Sequence, residues 1–324
     1  MGEINFIRAI TEALDEELAR DENVFILGED VGASGGTFSA TRGLYQKYGG
    51  RRIIDTPIIE STIAGMAVGA AITGLRPVAE IMYIDFMAMA MDAIANSAAK
   101  MRYVFGGQYK VPLVFRTIAG GGLSAGPHHS QSLEAWFCHV PGLKVAYPST
   151  PYDVKGLLKS AIRDDNPVLF IEHKLLRVKG EVPDEEYTLP LGKADIKREG
   201  SDVTVVTWGP LYYKVATSAD KLAQEGISVE IVDLGTLIPL DMETILKSVK
   251  KTGKLLIAHE AVKTGGFGAE IAASVMEEAF DALDAPVKRV AAAFTPIPYG
   301  PLLENAVLPQ EDDIVRGIRQ LVGH

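Results

Sequence analysis

The stretch that decides the fold is residues 143–172, which read LKVAYPSTPYDVKGLLKSAIRDDNPVLFIE. Its first five residues, 143–147, are mostly apolar and predict a strand. Thr150 and Pro151 then predict the start of a helix, because Thr is a favoured N-cap and Pro fits the first helical turn. The apolar run 168–172 predicts a second, buried strand. Strand, helix and strand in this order predict a βαβ unit of a parallel sheet.

The same alternation extends from this stretch in both directions. Ile7, Ile10, Leu14 and Leu18 share one face at helical spacing, which predicts an amphipathic helix near the N-terminus. Further strands are predicted at residues 24–27, 76–82, 111–117, 203–207, 229–234 and 254–258, and a long helix at about 85–103. Residues 178–200 turn polar and charged, which predicts a linker. The sequence therefore predicts two α/β domains with parallel sheets, joined near residue 190.

Composition limits the classes of function. The 324 residues carry a formal net charge of -10, which argues against nucleic acid or an anionic membrane as a partner. No apolar run approaches the roughly 18–20 residues that span a bilayer. Cys138 is the single cysteine, so no intrachain disulfide forms and a reducing compartment is expected. We therefore expect a cytoplasmic protein.

Two acidic positions follow predicted strands. The turn Gly28-Glu29-Asp30-Val31-Gly32 lies at the carboxyl end of a strand, where open α/β sheets bind ligands, although such a turn also carries acids incidentally. Glu60 precedes a helix rich in Ala and Gly. Its carboxylate is interpreted either as a charge that favours the helix N-terminus or as a buried acid with a raised pKa. The residues alone leave both pairs of alternatives open.

A glycine-rich loop is the most informative stretch for chemistry. Residues 120–132 read GGGLSAGPHHSQS and end in His128 and His129. Histidine titrates near neutrality and is the commonest general acid or base, and functional residues concentrate on loops. A solvated loop histidine is the alternative. Adjacent histidines point in different directions, so a metal pair is not indicated. Isolated histidines, among them His259 and His324, are interpreted as structural or surface residues.

Several of these motifs carry a family resemblance that covers nearly the whole chain, in order. They are GEDV at 28–31, DTPIIE at 55–60, GLRP at 74–77, HSQ at 129–131, PGLKV at 141–145, PSTPYD at 148–153, KGLL at 155–158 and TPIPY at 295–299. The chain resembles the β subunits of the thiamin-diphosphate-dependent first components of pyruvate, branched-chain 2-oxo acid and acetoin dehydrogenase complexes. The family implies a transketolase-like α/β fold. Residues 1–185 would form the pyrimidine-binding domain and residues 195–324 the transketolase C-terminal domain.

The resemblance also implies the cofactor site. Glu60 matches the glutamate that hydrogen-bonds the aminopyrimidine ring of thiamin diphosphate and drives activation of the cofactor. Phe86 matches the aromatic residue that stacks on this ring. Ile58 and Met82 match apolar contacts, and Glu29 matches an acid nearby. Departures are Ile59, where relatives often carry Ser, and His128, where they often carry Gln.

Further expectations come from the same family. His129 matches a loop histidine at the active-site mouth, a proton donor or a group that faces the lipoyl arm. Leu113, Ala161, Asp164 and Asn166 match positions that bind a structural potassium ion in some relatives.

Partners follow from what the chain lacks. The family's diphosphate and magnesium site belongs to an α subunit and is marked by Gly-Asp-Gly, which this sequence does not contain. The expected assembly is an α2β2 heterotetramer that passes its acyl group to a lipoyl acyltransferase core.

Substrate choice depends on local matches. Residues 96–100 and 135–137 resemble pyruvate enzymes, whereas residues 82–86, 105–107 and 172–176 resemble acetoin enzymes more. Acetoin therefore ranks slightly above pyruvate, and branched-chain 2-oxo acids come third. The rival interpretations are a non-catalytic scaffold subunit that only docks the acyltransferase core and one half of a split transketolase or deoxyxylulose-phosphate-type synthase.

Overall fold

The computed structural model describes residues 2–175 and 178–323, which divide into two units. The first unit comprises residues up to 119 and 136–191, and the second comprises residues 120–135 and those from 192 onward. The strands are β1 Gly2–Asn5, β2 Val24–Gly28, β3 Ile53–Asp55, β4 Arg76–Tyr83, β5 Val114–Ala119, β6 Lys144–Ala146, β7 Val168–His173, β8 Lys179–Val182, β9 Asp195–Arg198, β10 Val203–Thr207, β11 Val229–Asp233, β12 Thr236–Ile238, β13 Leu255–Val262 and β14 Lys288–Ala292. The α-helices are α1 Phe6–Arg20, α2 Leu44–Tyr48, α3 Glu60–Ile72, α4 Ala99–Val104, α5 Glu134–Cys138, α6 Pro151–Arg163, α7 Leu211–Ala223, α8 Met242–Thr252, α9 Gly268–Ala279, α10 Pro301–Val307 and α11 Glu311–Val322.

A parallel sheet forms the centre of the first unit. Six of its strands lie in the order β6-β7-β5-β4-β2-β3, and every pair among them is parallel. β5 and β7 are buried at every position, as expected for central strands of a parallel sheet. The carboxyl ends of β2, β3 and β4 lie side by side, so the loops that follow these strands meet at one edge.

Helices α1 and α6 of the first unit are joined by ion pairs. Thr150 and Asp153 form a capping box at the start of α6 with Pro151 in its first turn, which confirms the predicted helix start. On the buried side of α6, the ammonium groups of Lys155 and Lys159 each lie 2.7 Å from the carboxylate of Glu16 in α1. These contacts hold the βαβ unit of residues 143–172 against the N-terminal helix.

The second unit has its own sheet, in the order β14-β13-β10-β11-β9. The first four strands are parallel and β9 is an antiparallel edge strand. Helices α7 and α11 cover one apolar cluster that includes Val205, Ile231 and Leu256. The fold is therefore α/β with mainly parallel sheets in both units, as the sequence predicts.

Two predicted elements differ from the structure. The helix expected at 85–103 is a 3-10 segment at Ile84–Ala90, a π-helical segment at Asp92–Ala98 and then α4. The spacing of the buried side chains matches this change of helix type. They recur every three residues in the 3-10 segment and every four residues after it: Ile84, Met87, Ala90, Ile94 and Ala98. The polar stretch predicted as a linker contains β8, which pairs with β1, and β9.

Candidate functional site

The first candidate site lies at the carboxyl edge of the first unit's sheet. The turn after β2 is tied to the segment after β3 by two hydrogen bonds. The amide of Thr56 donates to the carbonyl of Gly28 at 3.0 Å, and the amide of Gly32 donates to the Asp55 carboxylate at 2.6 Å. These bonds bring the turn that carries Glu29 beside the segment that leads to Glu60.

Glu60 is the first residue of α3 and is half-buried. Burial and the charges of Asp30 and Glu60 raise the pKa of Glu29. This repulsion shows that the carboxylates of Glu29 and Glu60 share one electrostatic environment. Glu60 lies in the first turn of α3, and a helix N-terminus favours negative charge.

The apolar residues predicted for this site surround the same edge. Met82 lies near the end of β4, and Phe86 follows in the 3-10 segment; both are half-buried. The ring of Phe86 contacts that of Tyr83 edge to face, with centroids 5.9 Å apart. Ile58 is 68% exposed. The structure therefore brings Glu29, Ile58, Glu60, Met82 and Phe86 to one edge of one sheet.

A buried ion triad lies within this sheet, and the sequence reasoning missed it. Arg116 of β5 donates from Nη1 to Glu80 of β4 at 2.7 Å and from Nε to Glu172 of β7 at 2.5 Å. Glu80 also accepts the amide of Thr37 at 2.9 Å. Burial works against the charge of Arg116, but the two carboxylates raise its pKa. The sequence did contain a signal for this triad, because Arg116 lies in a predicted strand whose other residues are mostly apolar.

Two of the three stretches that resemble acetoin enzymes, residues 82–86 and 172–176, contact each other. The ammonium group of Lys174, from residues 172–176, lies 4.9 Å from the ring centroid of Tyr83, from residues 82–86. The two matches therefore count as one observation about the substrate. Leu176, which ends the second stretch, lies outside the described residues, as does His324.

The loop that carries the second predicted catalytic residue, His129, belongs to the other unit. Residues 120–135 group with the second unit, and His129 is half-buried while His128 is exposed. Pro127, His128, Ser130 and Gln131 line one side of a cavity of about 500 Å³ in that unit. The last three residues of β13, which include Glu260, and residues from the end of β14 onward also line it.

A buried cluster beneath this loop also escaped the sequence reasoning. Trp208 donates from Nε1 to Glu134 at 3.3 Å and stacks on His259 with ring centroids 5.2 Å apart. Within the residues that the structure describes, the second carboxylate oxygen of Glu134 has no hydrogen-bond partner. Burial raises the pKa of Glu134 to about 7. Burial, with a smaller contribution from the charge of Arg289, lowers the pKa of His259 to about 4.

The positions predicted for potassium lie around the end of α6. The Leu113 carbonyl accepts the Val168 amide at 2.9 Å, and the Ala161 carbonyl accepts the Asp164 amide at 3.3 Å. Asn166 accepts from Arg102 at 2.8 Å. Other cationic side chains reach the same region: Arg76 donates to the Asp164 carbonyl at 3.1 Å, and Lys144 pairs with the Asp164 carboxylate. A cation placed here competes with these side chains, and the potassium site stays a prediction.

Comparisons with known proteins identify the two domains and the fold. Residues 2–178 match the family Transketolase, pyrimidine binding domain, and residues 192–314 match Transketolase, C-terminal domain. A solved structure described as a split gene transketolase, inactive β4 tetramer, superposes with a TM-score of 0.81 at 24% identity, over 99% of both chains, which shows the shared fold. No helix among the described residues has the length and apolar character to cross a membrane.

Curated relatives match over almost their full length. The chain is 47% identical to the 2-oxoisovalerate dehydrogenase subunit beta of Bacillus subtilis, with 99% of each chain covered. It is also 47% identical to the pyruvate dehydrogenase E1 component subunit beta of Gracilaria tenuistipitata, with 99% of this chain and 100% of that one covered. The acetoin:2,6-dichlorophenolindophenol oxidoreductase subunit beta of Cupriavidus necator is 47% identical, with 96% and 95% covered. With this fold, these domains and these relatives, the chain belongs to the transketolase-like family of 2-oxo acid and acetoin dehydrogenase E1 β subunits.

Proposed function

We propose that this chain is the β half of a thiamin-diphosphate-dependent E1 enzyme and that Glu60 activates the cofactor. The observation that carries the proposal is the placement of Glu60 at the head of α3, beside Glu29 and at the same sheet edge as Phe86, Met82 and the exposed Ile58. A carboxylate acceptor beside an aromatic and apolar surface is what an aminopyrimidine ring requires.

Each residue has a separate task. Glu60 holds a proton between its carboxylate and a ring nitrogen, while Phe86, Met82 and Ile58 bind and orient the ring and exclude water. Bound thiamin diphosphate supplies a carbon nucleophile and an electron sink for cleavage of a carbon–carbon bond. The raised pKa of Glu29 adds a second group able to hold a proton at the same edge.

His129 is proposed to act on a proton or on the lipoyl arm. Support comes from its position in the loop 120–131, next to His128, Ser130 and Gln131, which line the cavity of the second unit. A half-buried imidazole on such a loop is close enough to solvent to exchange protons.

The proposed assembly is an α2β2 heterotetramer. The α subunit supplies the diphosphate and magnesium ligands, and a lipoyl acyltransferase core accepts the acyl group. The relatives' names, which are those of β subunits and E1 components, support an α partner. We further propose a cytoplasmic location and domain boundaries at residues 1–185 and 195–324.

The proposed substrate is acetoin or pyruvate, with acetoin ranked first because residues 82–86, 105–107 and 172–176 resemble acetoin enzymes. A branched-chain 2-oxo acid is the second candidate, since a relative named for 2-oxoisovalerate matches at the same 47% identity as the others. Turnover of the three substrates by the assembled enzyme tests the ranking. A pyruvate kcat/KM more than about 100-fold above that of acetoin, roughly 2.7 kcal/mol, would reverse it.

The test of Glu60 is hydrogen–deuterium exchange at the reactive carbon of thiamin diphosphate in the assembled enzyme. Glu60→Gln is expected to slow exchange and turnover by about 100-fold or more, because general acid–base catalysis contributes on that scale. Glu270→Gln is the matched control, since Glu270 also lies in the first turn of a helix but in the other unit. Near wild-type exchange in Glu60→Gln would refute the assignment and favour a scaffold subunit.

The need for the α subunit is tested by calorimetry on the purified chain with magnesium and thiamin diphosphate. The pyrimidine half of the site offers stacking and one main hydrogen bond, together a few kcal/mol, so binding no tighter than about millimolar is expected. Micromolar one-to-one binding without an α subunit would overturn the β-subunit proposal.

A further inference from the structure

Two carboxylates of the second unit bind the backbone of the loop that carries His129. Glu304 accepts the amide of Gly122 at 2.7 Å through one oxygen and the amide of Ser124 at 2.8 Å through the other. The Ser124 hydroxyl adds a third bond to Glu304 at 3.2 Å. Glu260 accepts the amide of Gly121 at 2.7 Å. Three of the four amides at residues 121–124 therefore donate to carboxylates.

The loop needs this support because its backbone is unfavourable. Gly120, Gly122 and Gly126 have φ angles of 89°, 97° and 75°, which glycine adopts freely. Ser124 has φ of 55° without that freedom, which costs on the order of 1 kcal/mol or more. Ser124 is also the residue that gives Glu304 two hydrogen bonds. The strained residue and its strongest external contact therefore coincide.

Burial of the Glu304 carboxylate costs free energy unless hydrogen-bond donors surround it. Its side chain is 2% exposed, and a buried carboxylate is stable only when donors surround it. The amides of Gly122 and Ser124 and the Ser124 hydroxyl supply those donors, and the first turn of α10 adds a favourable dipole. A glutamine of the same shape would turn an NH₂ group toward one of these N–H groups. The site is therefore specific for a carboxylate.

The same segment that carries Glu304 also contacts the far end of the loop. A Cβ atom at Gly126 would lie 2.2 Å from the ring of Tyr299, so only glycine allows this approach. The amide of His129 donates to the carbonyl of Gly126 at 3.4 Å. Residues 299–304 therefore contact the loop at Gly122, Ser124 and Gly126, the segment that leads into the turn before His129.

We propose that Glu304, assisted by Glu260, is a positioning residue that fixes the backbone of the His129 loop and so sets the location of that imidazole. The inference rests on the role proposed above for His129. Glu304 does not touch the reacting atoms; it acts through the amides of Gly122 and Ser124.

The experiment compares wild type with Glu304→Gln in the assembled α/β enzyme. Hydrogen exchange of the peptide that spans residues 119–133, measured by mass spectrometry, is expected to be about 10-fold faster in the variant, because hydrogen bonds to charged groups are on that scale. Acylation of a free lipoyl domain is expected to fall about 10-fold, while reduction of 2,6-dichlorophenolindophenol, which needs no lipoyl arm, falls less than about 2-fold.

Two further variants separate positioning from loss of stability. Asp312→Asn removes an exposed carboxylate from the neighbouring helix α11 and is expected to leave both readouts at wild-type values. His129→Ala combined with Glu304→Gln is expected to lose no more lipoyl acylation than His129→Ala alone, because both act through one imidazole.

Different results would refute the positioning role of Glu304 and the role of His129. Wild-type exchange in Glu304→Gln, or additive losses in the double variant, would refute the positioning role even if His129→Ala is inactive. Wild-type lipoyl acylation in His129→Ala would instead refute the role of His129 itself.

Discussion

The two units bury ionisable side chains in opposite ways. In the first unit, Arg116 lies between Glu80 and Glu172 and keeps its charge through three hydrogen bonds of 2.5–3.1 Å. In the second unit, Glu134 and His259 are equally buried, but burial shifts both pKa values toward the neutral forms. The carboxylate partners of Arg116 therefore outweigh its burial and keep it charged, although burial still raises the pKa of Glu172 within the same triad.

The largest expected effect comes from breaking the charged triad. Arg116→Met leaves the carboxylates of Glu80 and Glu172 without their cation, which is expected to lower the free energy of unfolding by about 3–5 kcal/mol. Urea unfolding followed by circular dichroism measures it, with Arg51→Met on the exposed surface as control. Addition of Glu80→Gln to Arg116→Met is expected to recover part of the loss. A loss below about 1 kcal/mol would mean that water reaches the triad.

The buried cluster of Glu134 and His259 predicts that the free energy of unfolding depends on pH through Glu134. Its folded pKa of about 7 exceeds its ordinary value of 4.5, so the folded state holds an extra proton between these values and the free energy of unfolding falls as pH rises through them. Glu134→Gln cannot ionise. The variant is expected to be about 2–3 kcal/mol more stable than wild type at pH 8 and about equal at pH 4.5. Urea unfolding followed by Trp208 fluorescence measures this, and equal stabilities at pH 8 would contradict it.

His259 is expected to destabilise the second unit in acid. Its folded pKa of about 4 lies below the ordinary 6.5, so the unfolded state binds the proton first and stability falls as pH drops from 6.5 toward 4. His259→Gln, which has no such titration, is expected to lose less stability than wild type over this interval, by about 1–3 kcal/mol. The change of melting temperature with pH in both proteins checks this. Parallel slopes would show that other groups control acid unfolding.

The smallest effect on stability is expected from an exposed ion pair. The Lys47 ammonium lies 2.6 Å from the Asp15 carboxylate, but both side chains are open to solvent. Lys47→Met is expected to shift the melting temperature by less than about 2 °C, because water screens the pair. Calorimetry at low and high salt checks this. A larger shift would show that distance outweighs burial and would undermine the contrast between the units.

Local chemistry explains which parts of the fold could be predicted. The strand at Val203–Thr207 and the capped start of α6 have the predicted bounds, because apolar patterning and capping depend on adjacent residues. The prediction of one continuous helix at 85–103 was wrong, because a 3-10 segment and then a π-helical segment precede α4 there. Arg116 binds residues 36 and 56 positions away, a relation that one sequence does not display.

The candidate site divides in the same way. The residues themselves indicated the glycine-rich loop, the resemblance selected Glu60 and His129, and the structure adds what surrounds them. No pattern in the sequence connects Glu304 to that loop, since an isolated Glu in a short helix has no distinguishing neighbours. The cofactor contacts and the potassium ligands stay predictions.

The anchoring of the loop also has a consequence for the timing of synthesis. Gly122 and Glu304 are 182 residues apart in the chain. At the usual translation rates of about 5–20 residues per second, roughly 10–40 s separate the appearance of the loop from that of its anchor. During this interval the amides of Gly122 and Ser124 lack Glu304 as their acceptor. The His129 loop therefore acquires its final anchoring only after the chain has been synthesised through Glu304.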